Sequence, residues 1–117
     1  MALAWTLIYY VSKDETIPFE EFAKTLKTQQ ERANCYALIE LLKEWGNEPL
    51  VSQHLTHTEV LCFGLRVHEI RDETMRIFYL CEDDARVVVV IDVLLPTQGD
   101  KFLLEICRKA EDYASDE

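Results

Sequence analysis

At 117 residues, 49% hydrophobic and 29% charged, the chain has room for one domain and one core and is too apolar for a disordered protein. Twenty-two acidic against twelve basic side chains give a net charge of −10, which speaks against a free-standing nucleic-acid binder, since phosphate affinity comes from clustered Lys and Arg. The longest apolar run, Val87 to Ile91, is far short of the roughly 20 residues of a membrane helix, and Met-Ala-Leu-Ala-Trp at the start has no basic region, so the expectation is a cytoplasmic protein with no signal peptide and no membrane partner.

Trp5 to Val11 is aromatic and β-branched and predicts a first strand. Ser12 to Glu15 is turn-like. Pro18 suits a first helical residue, with Glu20 and Glu21 in the first turn, and Phe19, Phe22, Ala23 and Leu26 recur at helical spacing. A second helix is expected from about Gln30 to Trp45, on the stripe Ala33, Ala37, Leu38, Leu41, Leu42 and Trp45, with Gly46-Asn47 as its stop. The short link between the two helices predicts an antiparallel hairpin. Glu48 to Glu59 has no periodicity and is expected to be loop. Three strands follow, Val60 to Arg71, Met75 to Cys81 and Arg86 to Leu95, joined by links short enough for antiparallel neighbours. Val87 to Ile91 is apolar on both faces, as a covered central strand would be. A turn over Pro96 to Asp100 leads into a last helix, from about Lys101 to Tyr113. The expected fold is therefore a single α+β domain over residues 1–117 in the order βααβββα, with a small antiparallel-rich sheet, an N-terminal helical hairpin and a C-terminal helix.

The four cysteines, Cys35, Cys62, Cys81 and Cys107, lie in apolar segments and form no C-x-x-C pair. They are expected to be reduced core residues, without a disulfide framework or a zinc ribbon. His54 and His57 with Cys62 have loose metal-ligand spacing but no fourth candidate close by, so no metal and no cofactor are expected. Asp92, inside the apolar strand, needs a partner, because a buried unpaired carboxylate is costly, and an arginine is the expected one.

Glu69-Ile70-Arg71 followed by Arg76-Ile77-Phe78-Tyr79 resembles the Glu-Leu-Arg…Arg-Ile-Phe-Tyr signature of the phage-derived, HigB-like branch of the RelE/ParE toxin superfamily. The Pro-Phe-Glu-Glu-Phe start of the first helix is similar to that branch, as are Leu41-Leu42…Gly46, Ser52-Gln53-His54-Leu55, Thr97-Gln98 and the last helix from Glu105-Ile106 to Tyr113. The resemblance spans nearly the whole chain and rests on the order of short motifs. It implies the toxin of a type II toxin–antitoxin module: a metal-independent endoribonuclease that cuts ribosome-bound messenger RNA and so inhibits translation. Its partners would be an antitoxin that wraps the toxin, the ribosome and its message, and a homodimer is compatible with it.

Such chemistry needs cations on the scissile phosphate, an acceptor for the ribose 2′-hydroxyl proton and a donor for the leaving oxygen. The candidate catalytic residues are Arg71, Arg76, Tyr79 and Lys101, and the candidate RNA contacts are Arg66 and His68, the latter also suited to accept the proton by an ordinary pKa of about 6.5. Planar arginine suits the phosphate because its fork binds two oxygens. Beside these roles stand plainer ones: ion pairs of Arg71 and Arg76 with Glu69, Asp72, Glu73 or Glu82, a core position for Tyr79, and a surface position for His68. The chain also departs from the family. The lysine-rich stretch after the last strand is replaced by Leu94-Leu95-Pro96 and Gly99-Asp100, leaving Lys101 as the nearby cation, and Gln53 or His54 stands where the family has another lysine. A second reading is therefore a family member without its cationic site, serving as a protein-interaction module of phage or mobile-element origin. The two readings differ in whether Arg66, Arg71, Arg76 and Lys101 share a face free of carboxylates.

Overall fold

The computed structural model describes residues 4–46 and 55–115. Its elements are β1 (Thr6–Tyr9), α1 (Pro18–Lys24), α2 (Gln29–Trp45), β2 (Thr56–Cys62), β3 (Leu65–Arg71), β4 (Arg76–Glu82), β5 (Val87–Leu94), a 3-10 turn (Asp100–Phe102) and α3 (Leu103–Ser115). The strands form one five-stranded sheet in the order β1-β5-β4-β3-β2. β1 runs parallel to β5 and all other pairs are antiparallel, so the sheet is mixed.

The interior position of β5, between β1 and β4, accounts for its apolar sequence. Val88, Val90 and Val93 face a core built with Phe19 of α1 and Cys35, Leu38, Ile39 and Leu42 of α2. Val89, Ile91 and Leu94 face a second core built with Ile106 and Ala110 of α3. A bulge opposite Phe78 and Tyr79 sets Ile91 and Asp92 side by side against the α3 layer. α1 packs on β5 and α2 on β1, rather than chiefly against each other as a self-contained hairpin would. α2 is started by Thr28, whose Oγ1 accepts from the Glu31 amide at 3.0 Å. It stops at Gly46, whose φ of +56° suits glycine, and a Cβ there would lie 2.0 Å from the Trp5 ring.

Several expectations from sequence are corrected. Val60 to Arg71 is not one strand but two halves of a hairpin, β2 and β3, and β2 begins at Thr56 inside the stretch expected to be loop; the order is βααββββα. The reversal is a two-residue turn with φ +51° at Phe63 and +86° at Gly64. Such turns usually carry Asn-Gly or Asp-Gly, and a phenylalanine in the left-handed region hides the signal. Of the expected loop, Glu48 to His54 lies outside the described residues, as does Asn47. The expectation of four reduced cysteines also fails: Cys62 of β2 and Cys107 of α3 are joined in a disulfide across 45 residues, their Cα atoms 5.0 Å apart. Cys35 and Cys81 are free. Burial pushes both of their thiols up, to about 11 and about 12, as expected of inert core sulfur. Asp92 pairs with Lys109 of α3 at 2.5 Å and not with an arginine. No helix among the described residues is long and apolar enough to cross a membrane.

Candidate functional site

Alternation along β3 sends Glu69 and Arg71 to the α3 face and Arg66, His68 and Ile70 to the opposite one. The residues proposed for RNA contact are thereby split between two places.

On the α3 face, Arg76 is the first residue of β4 and is 3% exposed. Its Nε donates to Glu69 Oε2 at 2.8 Å, its Nη2 to Glu69 Oε1 at 3.3 Å and its Nη1 to the Gln98 carbonyl at 2.8 Å. Its guanidinium also lies 5.3 Å from the centre of the Phe78 ring. Arg71, half exposed, donates from Nε to the same Glu69 Oε2 at 3.0 Å. Glu69 is thus clamped by two guanidiniums. Burial pushes its carboxyl up, but the hydrogen bonds and charges of Arg76 and Arg71 outweigh burial and hold it below its ordinary value. Arg76 is correspondingly raised, first by its bond to Glu69, and Asp100 lies a further 3.7 Å away. Lys101 is exposed, with its Nζ over the Phe102 ring rather than in the fork. The turn that anchors this end is built by Asp72, whose Oδ1 accepts from the Thr74 amide, the Thr74 hydroxyl and the Met75 amide.

On the opposite face, at the β2–β3 edge, Tyr79, His68 and His57 stack with nearly parallel rings. Tyr79 is fully buried, and its hydroxyl has no hydrogen-bond partner among the described residues. Desolvation pushes that hydroxyl far up, so it stays neutral. His68 is buried, not a surface histidine. Burial and then the neighbouring His57 hold it below 6.5, in its neutral form. His57 Nε2 and His68 Nδ1 are 3.1 Å apart, and Glu59 Oε1 lies 3.7 Å from His68 Nδ1. Arg66 is exposed and bound to Glu59 Oε2 at 3.4 Å. Sequence reasoning singled out His57 and His68 separately. It missed their meeting with Glu59, because Thr56 to Glu59 was not read as a strand.

At the end of β5, between the α1 and α3 layers, lies a broad hollow lined by five carboxylates (Asp14, Glu21, Asp92, Glu105, Asp112) and three cations (Lys13, Arg108, Lys109). Each of those cations already meets one of those carboxylates: Lys13 with Asp112, Arg108 with Glu105, and Lys109 with Asp92. Lys24 likewise meets Glu21, so five carboxylates stand against four cations and the hollow keeps a net negative charge of one.

No family model and no curated protein matches this chain. Arg71 and Arg76 come together, as their neighbouring strands allowed, but around a carboxylate. Arg66, His68 and Tyr79 lie across the sheet from them, and Lys101 stands apart.

Proposed function

We propose that this chain is a RelE/HigB-like domain that works as a protein-interaction module and not as a nuclease. The observation that carries the reading is the closed fork of Glu69 on Arg76. Three of the five N–H donors of this guanidinium are already taken by a carboxylate and a carbonyl, and the carboxylate repels a scissile phosphate. The acidic hollow and the net charge of −10 favour a basic partner, such as the cationic segment of an antitoxin-type protein. β2, the edge strand among the described residues, supports the same reading, with Leu61 and Phe63 largely exposed at its turn. The Cys62–Cys107 disulfide sits against the cytoplasmic location expected from the sequence, because cytosolic thiols are kept reduced.

A second reading, a ribosome-dependent endoribonuclease, is favoured by one feature. The Arg71 side chain is 47% exposed at the rim of the cluster, where a phosphate could replace its contact with Glu69.

Two measurements separate the readings. In a purified translation reaction, message should stay intact with micromolar wild-type protein; cleavage that Arg71→Ala or Arg76→Ala abolishes would establish the nuclease. In fluorescence anisotropy, a lysine-rich amphipathic peptide should bind in a salt-sensitive way, and Glu21→Gln with Glu105→Gln should weaken it. Binding unaffected by salt and by both substitutions would sink the acidic-hollow reading.

A further inference from the structure

Outside the arginine cluster, one group of side chains is arranged as a ligand set. His57 and Glu59 are two residues apart on β2, so they share a face, and Glu59 stands directly across from His68 of β3. One donor atom from each of the three lies within 4.8 Å of the others. The two imidazole nitrogens face each other at 3.1 Å. A tetrahedral ion holding both at about 2.0–2.1 Å would set them roughly 3.3 Å apart, so a few tenths of an ångström of ring movement would admit it. We propose that His57 Nε2, His68 Nδ1 and Glu59 Oε1 form a binding site for a first-row divalent cation of the zinc type.

Two further features fit this assignment. Arg66 holds Glu59 by Oε2, which leaves Oε1 turned towards His68, an outer contact of the sort that orients a ligating carboxylate. Tyr79 backs both rings, limiting their rotation in the stack. Two nitrogens and one carboxylate oxygen suit zinc better than calcium or magnesium, which take oxygen ligands. Three protein ligands leave a fourth position for water or for a donor from a bound partner. Glu59 is 45% exposed, so the site opens to solvent at the sheet edge. This inference is independent of the partner reading above.

The test is equilibrium titration of chelator-stripped full-length protein with zinc, followed by cobalt substitution read by visible absorption. One equivalent should bind, and cobalt should give an intense tetrahedral spectrum. His57→Gln and Glu59→Gln, which alter the less buried ligands and leave His68 in place, should each weaken binding by more than the roughly 10–100-fold that loss of an outer-shell partner costs, while the circular dichroism spectrum stays wild type. Three results would overturn the site: no binding at 100-fold molar excess of zinc, affinity unchanged in His57→Gln, or a cobalt–thiolate band assigning the ion to Cys35 or Cys81.

Discussion

Removing the Glu69 carboxylate should be among the most damaging single changes to this fold. Glu69 and Arg76 side chains are 5% and 4% exposed, so the pair lies out of water. In Glu69→Ala the Arg76 guanidinium would keep the Gln98 carbonyl and the distant, exposed Asp100 but lose both carboxylate bonds. Leaving a buried charge without its partner costs about 3–5 kcal/mol. Arg71→Ala removes a half-exposed partner and should cost no more than about 1 kcal/mol. Arg76→Met should fall between them, because Arg71 still binds the remaining carboxylate. Replacing both members, as Glu69→Leu with Arg76→Met, should come out near neutral, since a buried ion pair repays little more than its own desolvation. Urea unfolding followed by circular dichroism, with the slope checked for constancy, gives all four values, and a Glu69→Leu single variant closes the cycle for the Glu69–Arg76 coupling. A Glu69→Ala variant within about 1 kcal/mol of wild type, an ordinary loss for any point substitution, would refute the buried-pair account.

Two further outcomes follow from the structure. Because Glu69 is held below its ordinary value of 4.5, the unfolded chain binds its proton first on acidification. Its contribution is therefore complete above pH 4.5 and lost as pH falls through the lower folded value; urea midpoints measured from pH 6 down to pH 3 should drop more steeply in wild type than in the Glu69→Leu, Arg76→Met double variant. Reduction of Cys62–Cys107 should lower stability by about 4 kcal/mol on loop-closure entropy for its 45-residue separation, and Cys62→Ser should be equally destabilised and insensitive to reductant. A wild-type unfolding midpoint unchanged by reductant would mean the two sulfurs are not bonded.

The sequence by itself determined the local elements whose signals lie within a few residues. Pro18 and the spacing of Phe19 and Phe22 place α1, Gly46 ends α2, and the unbroken apolar run of β5 announces a strand covered on both faces. It also brought Arg71 and Arg76 together, because two short antiparallel strands leave them little choice. The tertiary structure decided what those residues meet. Glu69 could have pointed to solvent, but α3 and the Gln98 turn close over it, and burial makes it the obligatory partner of both arginines. The pairing of Cys62 with Cys107 was invisible for the same reason: their proximity comes from α3 docking on the sheet, not from spacing along the chain. His57, Glu59 and His68 meet only because Phe63 accepts a positive φ and turns β2 back on β3, a conformation that residue type alone does not disclose. Side-chain alternation and capping act through nearest neighbours and can be read along the chain. Charge partners, disulfides and ligand sets depend on which faces the packing brings together.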